Sequence, residues 1–247
     1  MEIRLLGTNG WYDTKTGDTT CVFVDSKDYY LVFDAGNGIH KLDSVIKKPK
    51  PVYLFLSHFH LDHISGLHIL NKFDFPKGLT IIGQKGTGKV LETFVSQPFT
   101  IPFSEYSYPV TILDLSEGEH GIPFRVESRK LVHSTDCMGY RVEIDGKIIA
   151  FCTDTGICDN AIVLARNADV LITECSLKPG QANPLWPHLN PETAVSIAKQ
   201  SNAGKLVLIH FDANTYRTLD DRFSILSEIG MEFENLIIGV DNKRITI

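Results

Sequence analysis

Short runs of apolar residues separated by polar and glycine-containing segments dominate the chain, and most of them predict β-strands. Residues 53–56 form a continuous apolar run, which is the pattern of a strand buried on both faces. Asp145-Gly146 lies between two such runs and is a strong hairpin signal. The other predicted strands cover residues 3–6, 21–24, 30–33, 80–82, 111–113, 124–127, 140–144, 147–151, 170–172, 206–209, 236–238 and 244–247.

Helical spacing is less common and occurs mainly late in the chain. Asn190 as N-cap and Pro191 as first helical residue predict a helix over residues 191–200, and residues 219–229 repeat apolar positions at helical spacing. Shorter helices are predicted over residues 63–70, 89–95 and 161–165. Because no repeat or Ser/Gly-rich linker divides the chain, we expect one α/β domain over residues 1–247, built from layered sheets.

Composition narrows the class of protein. Hydrophobic residues make up 43% of the 247 residues, enough for a sizeable core, and the net charge of −6 excludes a global polycationic surface. The five cysteines are scattered without a C-x-x-C motif, which favours a reducing compartment. Residues 1–8 lack the apolar centre of a signal peptide, and no run of about 18 apolar residues occurs. We therefore expect a cytoplasmic protein without membrane contact.

The strongest chemical signal is a histidine cluster directly after the buried strand. The segment Ser57-His58-Phe59-His60-Leu61-Asp62-His63 places four metal-ligand groups within six residues. His58 and His60 project to the same side of an extended segment, and Asp62 and His63 follow where the chain turns toward a helix. Imidazole nitrogens and carboxylate oxygens suit zinc, and they also suit manganese or iron. A histidine-rich surface turn is the alternative explanation.

Three further ligand-type residues follow other predicted strands. His133 follows the strand pattern that ends in Ser128-Arg129-Lys130-Leu131-Val132, and Asp154 and His210 follow apolar strands. The carboxyl ends of strands are where α/β architectures gather their sites. Together with the cluster they predict a metal site with seven protein donors.

These residues resemble the metallo-β-lactamase superfamily, whose mark is H-x-H-x-D-H followed by three distant ligands. The likeness covers nearly the whole chain, including Leu6-Gly7-Thr8 and the turn Asp34-Ala35-Gly36. It implies an α/β fold of the four-layer αββα type, with a two-metal site at one sheet edge.

Within the superfamily the chain is most similar to ribonuclease Z and its phosphodiesterase relatives. Thr173-Glu174-Cys175-Ser176 resembles their H-E-A-[ST] segment, with Thr173 in place of the His, and His188 precedes a helix as in their G-H-[ST] segment. Leu189 stands where Ser or Thr is usual. The likeness implies that Glu174 and His188 protonate the leaving oxygen.

One departure from ribonuclease Z concerns its tRNA-binding arm. Bacterial tRNA-processing members carry a long arm between the third ligand His and the bridging Asp, whereas one predicted hairpin fills the interval from His133 to Asp154 here. We therefore expect a small phosphodiester, a nucleotide such as a cyclic nucleotide, or an RNA end as substrate. A tRNA 3′-end processing endonuclease is the alternative. Relatives of this kind are often dimers, so a homodimer is compatible with the resemblance.

The resemblance suggests specific roles for these residues. We expect one divalent ion at His58, His60 and His133, a second at Asp62, His63 and His210, and Asp154 between them. Zinc is the favoured metal, with manganese or iron as alternatives. A metal-bridging hydroxide would attack phosphorus, Asp62 would take its proton, and His188, oriented by Glu174, would protonate the leaving oxygen. We expect Asp34 to hydrogen-bond a ligand imidazole.

Three other functions fit this sequence less well. Hydrolysis of a lactone, thioester or β-lactam does not need the Glu174–His188 pair. A nucleic-acid-binding module with a structural metal does not need seven donors, because structural zinc sites close with four. A nucleotide triphosphatase would need a phosphate-binding loop of the form G-x-x-x-x-G-K-[ST]. The segment from Gly83 to Val90 matches it except at Val90, which replaces the required hydroxyl residue.

Overall fold

The computed structural model describes all 247 residues and contains two seven-stranded β-sheets. Strands are numbered along the chain. In spatial order the first sheet contains β16 (Arg244–Thr246), β1 (Glu2–Gly7), β3 (Cys21–Asp25), β4 (Tyr30–Phe33), β5 (Val52–Phe55), β6 (Leu79–Gln84) and β7 (Val110–Leu115). The second contains β15 (Leu236–Ile238), β13 (Leu206–Ile209), β12 (Val170–Glu174), β11 (Lys147–Cys152), β10 (Met138–Ile144), β9 (Arg125–Lys130) and β8 (Gly118–Gly121).

Each sheet is parallel in one part and antiparallel in the rest. Strands β4 to β7 run parallel in the first sheet, and β11, β12, β13 and β15 run parallel in the second. Every residue of β4, β12 and β13 is buried, as expected for parallel strands covered on both faces, whereas the edge strands β7 and β15 are partly exposed. The carboxyl ends of parallel strands lie at one edge, so the segments that follow β4 and β5, and β11, β12 and β13, are brought together.

A two-residue bridge connects the segments that follow β1 and β13. Strand β2 (Asn9–Gly10) pairs in parallel with β14 (Phe211–Asp212). Since β1 belongs to the first sheet and β13 to the second, this pairing joins the two sheets at the same edge.

Helices cover the outer face of each sheet. On the first sheet these are α1 (Leu42–Val45), α2 (Leu61–Ile64) and α3 (Thr87–Phe94); on the second they are α4 (Asp159–Ala165), α5 (Pro191–Ser201) and α6 (Leu219–Ile229). Turns of 3₁₀ helix occupy Asn37–Lys41, Ser65–Lys72, Phe103–Glu105 and Gly230–Glu232. The layer order is αββα, which confirms the expected fold class. None of these helices has the length and hydropathy needed to span a bilayer.

The inner faces of the two sheets form the central core. Phe33 stacks against Phe55 of its own sheet, with ring centroids 5.1 Å apart, and against Phe151 of the other sheet at 4.9 Å. The hydroxyl of Tyr140 donates a hydrogen bond of 2.7 Å to the carbonyl of Leu56, directly beside the histidine segment. The core thus fixes the strand end from which that segment starts.

Candidate metal centre

All seven donors predicted from the sequence lie at one edge of the two sheets. The first sheet supplies His58, His60, Asp62 and His63, which follow β5. The second sheet supplies His133 after β9, Asp154 after β11 and His210 after β13. Both sheets are therefore needed to form the centre.

Three imidazoles form the first donor group. The Nδ1 atom of His60 lies 2.9 Å from Nε2 of His58 and 3.3 Å from Nε2 of His133. Nitrogens bound to one tetrahedral cation at about 2.0–2.1 Å are about 3.3 Å apart. One His60 nitrogen faces two others and cannot satisfy both as an ordinary donor and acceptor, so the spacing fits a shared cation.

Asp62, His63 and His210 form the second donor group. The two Nε2 atoms of His63 and His210 are 3.1 Å apart, and Oδ2 of Asp62 lies 3.2 Å from His210 Nε2 and 3.6 Å from His63 Nε2. Two nitrogens and one carboxylate oxygen converge here, a donor set that suits zinc, manganese or iron.

Asp154 lies between the two groups. Its Oδ2 atom is 3.3 Å from His210 Nε2 and 3.5 Å from His63 Nε2, and it is 3.9 Å from His133 Nε2 and 4.0 Å from His58 Nε2. This carboxylate faces both groups at once, as a residue shared by two cations must.

Hydrogen bonds to the far nitrogens hold the buried imidazoles in place. His63 Nδ1 bonds Asp34 Oδ2 at 2.7 Å, and His210 Nδ1 lies 3.0 Å from the Ser176 hydroxyl. His58 Nδ1 lies 3.0 Å from the Ser57 hydroxyl, which in turn donates to Asp34 at 2.8 Å. Such partners fix the ring orientation and leave Nε2 directed at the centre.

The electrostatic environment differs between the two groups. Burial lowers the pKa of His58, His60 and His133 and so favours the neutral ring, the form in which imidazole binds metals. Burial also acts to lower the pKa of His63, but the facing carboxylates of Asp154, Asp62 and Asp34 raise it overall. The carboxylates around the second group thus create a negative potential that favours a positive charge there.

Glu174 and His188 form a pair beside the seven donors. His188 Nδ1 lies 2.8 Å from both carboxylate oxygens of Glu174, which also accepts the Thr155 N–H at 2.6 Å. Burial lowers the pKa of His188, but the charge and hydrogen bond of Glu174 outweigh it and raise the pKa to about 9. A ligand-type atom of His188 lies within 4.8 Å of such atoms on Asp154 and His210.

Residues without a recognised sequence signal also position the centre. A Cβ atom at Gly10 would lie 2.6 Å from Cε1 of His210, so only glycine fits against that ring. Arg222, which is fully buried, donates to Thr8 Oγ1 at 2.8 Å and to the Asn9 side chain. It thereby holds the segment that ends at Gly10.

A cavity of about 700 Å³ opens over the donors, and both tryptophans of the chain, Trp11 and Trp186, line it. Sequence reasoning assigned neither of them a role.

The segment resembling a nucleotide phosphate-binding loop lies elsewhere. There the carboxylate of Asp114 accepts the N–H groups of Gly86 at 2.6 Å and Gly88 at 3.3 Å, where a phosphate would have to bind.

Comparisons with known proteins agree with this fold. A model of the β-lactamase superfamily domain matches residues 29–211. Ribonuclease Z of Bacillus velezensis is 26% identical over 310 aligned positions, which cover 100% of this chain and 99% of that protein. The alignment is longer than this chain, so that relative contains segments absent here.

Two solved structures share the fold. The metallo-β-lactamase fold protein YhfI from Bacillus subtilis superposes with a TM-score of 0.80 at 22% identity, covering 99% of this chain and 98% of that one. The short form of human tRNase Z superposes with a TM-score of 0.77 at 22% identity, covering 100% and 99%.

Proposed function

This chain belongs to the β-lactamase superfamily, a family of metal-dependent hydrolases, and we propose that it is a two-metal phosphodiesterase. The observation that carries the proposal is the Glu174–His188 pair beside the seven donors. Hydrolysis of an unactivated phosphodiester releases an alkoxide that must be protonated, and this pair supplies a placed proton donor. Hydrolysis of a lactone, thioester or β-lactam has less need of one.

The fold family implies divalent cations, and the donor sets fit them. His58, His60 and His133 would hold one ion and Asp62, His63 and His210 the other, with Asp154 shared. Zinc is the metal we propose, because three imidazoles in one group and two in the other suit it. When bound, such ions lower the pKa of water and neutralise charge on a phosphate.

The residues around the donors then have separable tasks. Nδ1 of His188 is bonded to Glu174, so the opposite nitrogen carries the proton for the leaving oxygen. Asp62 accepts the proton from the attacking water, and the backbone N–H of Trp11 fixes the Oδ2 atom of Asp62 with a hydrogen bond of 2.7 Å. Asp34 and Ser176 keep their histidines in one tautomer.

The segment between His133 and Asp154 supports small substrates. It contains only the hairpin of β10 and β11, so the long arm of tRNA-processing relatives has no counterpart there. We propose cyclic nucleotides, other small phosphodiesters and RNA ends as the substrate class. Processing of tRNA 3′ ends is the second candidate, favoured by the similarity to ribonuclease Z over 99% of that protein's length.

Location and assembly extend the proposal. The cysteines are free thiols, which supports the cytoplasm as the compartment. Leu219, Phe223 and Leu226 expose apolar side chains on one face of α6, which supports a homodimer and can be checked by analytical ultracentrifugation.

The decisive experiment combines metal content and turnover on one sample. Plasma mass spectrometry should find near two divalent ions per chain, and the same sample should hydrolyse bis(4-nitrophenyl) phosphate but not a thioester or nitrocefin. A panel of cyclic nucleotides, dinucleotides and precursor tRNA then ranks substrates. Two ions with thioester or nitrocefin hydrolysis and no phosphodiester hydrolysis would contradict the proposal.

A further inference from the structure

Both tryptophans of this chain line the cavity over the donors, although they lie far apart in sequence. Trp11 is 67% exposed and Trp186 is 47% exposed, so each ring retains free surface. An exposed indole that lines a cavity offers a flat π-face on which a nucleobase can stack. Neither ring belongs to the metal donors or to the Glu174–His188 pair.

Trp186 is fixed on the side of the first donor group. Its ring stacks on His60 with centroids 5.6 Å apart and planes inclined by 10°. The Asn183 side chain accepts the backbone N–H of Trp186 at 3.2 Å, and Pro184 and Pro187 restrict the same loop. One face of the indole is therefore covered by His60.

Trp11 is fixed on the side of the second donor group. Its backbone N–H donates to Asp62 at 2.7 Å, and its backbone is held in the left-handed region with a φ of 73° directly after β2. The ring packs edge-on against Tyr12, with centroids 5.2 Å apart. The two indoles thus adjoin different donor groups, and the reacting phosphate would lie between them.

Resting on the proposed function, we propose that Trp11 and Trp186 are stacking surfaces for the two nucleobases that flank the scissile phosphate. The substrate class is then a phosphodiester that joins two nucleosides, as in a dinucleotide or the end of an RNA strand. A cyclic mononucleotide has one base and would use one ring only. Stacking tolerates every base, because each has a π-face.

The position of His188 assigns the two sides. Its ring centroid lies 6.4 Å from that of Trp186, so the leaving nucleoside stacks on Trp186 and the nucleoside that keeps the phosphate stacks on Trp11. Water forms the new P–O bond and gives one proton to Asp62. The P–O bond to the leaving nucleoside breaks, and its oxygen takes the proton of His188.

A kinetic test uses adenylyl-(3′→5′)-adenosine and two analogues, each without one base. Trp186→Ala should lower kcat/KM for the full dinucleotide by about 5- to 100-fold and have no further effect on the analogue that lacks the leaving-side base. Trp11→Ala should lower kcat/KM for the full dinucleotide and have no further effect on the analogue that lacks the base of the nucleoside that keeps the phosphate. The phenylalanine variants of both tryptophans should retain most activity, because they keep an aromatic ring. Leu185 lies on the same loop as Trp186 and is 91% exposed, so Leu185→Ala should match the wild type.

Fluorescence gives a second readout that does not need turnover. Trp11→Phe leaves Trp186 as the single indole, and Trp186→Phe leaves Trp11. Titration of the metal-loaded variants with a methylphosphonate dinucleotide, which resists hydrolysis, should quench both indoles. Quenching of one or neither, or kinetic effects independent of the missing base, would overturn this inference. Hydrolysis of bis(4-nitrophenyl) phosphate by the wild type would leave the proposed function standing in that case.

Discussion

Asp34 and His63 are joined by a buried 2.7 Å hydrogen bond between Oδ2 and Nδ1, although 29 positions separate them in the chain. Asp34 also accepts the backbone N–H and the hydroxyl of Ser57, at 2.7 and 2.8 Å. One carboxylate that follows β4 thus positions both a donor imidazole and the start of the histidine segment.

Replacing Asp34 by Asn should weaken metal binding without removing a ligand. An amide in place of the carboxylate no longer favours the Nδ1-protonated form of His63, and loss of such a partner typically costs 10- to 100-fold in affinity. Competition with a chelator measures the change. An unchanged affinity would show that Asp34 is only a turn residue.

His60→Ala should remove a donor of the first group. We expect the metal content to fall below two ions per chain and turnover of bis(4-nitrophenyl) phosphate to fall by several orders of magnitude. His68→Ala is the matched control, because His68 is exposed on the following 3₁₀ turn. Full metal content and activity in His60→Ala would contradict the ligand assignment.

His188→Ala should lower turnover of dinucleotides by roughly 10²–10⁴-fold while leaving metal content unchanged. Nitrophenolate leaves without help from an acid, so bis(4-nitrophenyl) phosphate should suffer much less. The comparison of the two substrates in one variant isolates the protonation step. Equal losses on both substrates would argue against an acid role.

Glu174→Gln should shift the alkaline limb of the kcat profile to lower pH. His188 acts in its protonated form, so activity is lost as the pH rises through its pKa, and Glu174 is the group that raises this pKa to about 9. Without that charge the pKa falls, and the loss begins earlier. A limb at the same pH in both proteins would assign it to another group.

Arg222→Met should destabilise the fold. The guanidinium is fully buried, and its loss removes the charged donor that bonds the Gly239 carbonyl and the side chains of Asn9 and Thr16, at about 1.5–3 kcal/mol for each hydrogen bond to a charged group. A fall in Tm of roughly 10 °C follows for a chain of this size, measurable by calorimetry. The exposed Arg217→Met is the control, and equal Tm values for both variants would contradict the role of Arg222.

Much of the centre could be predicted from sequence because its donors follow buried strands. An apolar run such as that before His58 or His210 has a recognisable end, and parallel strands bring their ends to one edge. A helical segment does occupy the predicted residues 63–70, but most of it is a 3₁₀ helix and not an α-helix. Leu61–Ile64 is α-helical, and Ser65–Lys72 is a 3₁₀ helix.

The supporting residues had no such local signal. Arg222 is separated from Thr8 by 214 positions, so no spacing pattern connects them. Trp11 and Trp186 depend on loops whose paths are set by contacts with Asp62 and His60. Strand β8 (Gly118–Gly121) was missed because glycine and charged residues have low β-propensity, and only its pairing with β9 makes it a strand.

Each of the two donor groups takes residues from both sheets. A bound ion in either group would therefore cross-link the two sheets. Separation of the sheets at this edge and loss of the ions then become a single cooperative event. Amide hydrogen exchange at the β2–β14 bridge reports the free energy of opening at this edge. Metal binding should raise that free energy by the same amount that the ions add to the free energy of unfolding. We therefore expect the metal-free chain to open first at the edge that carries the chemistry.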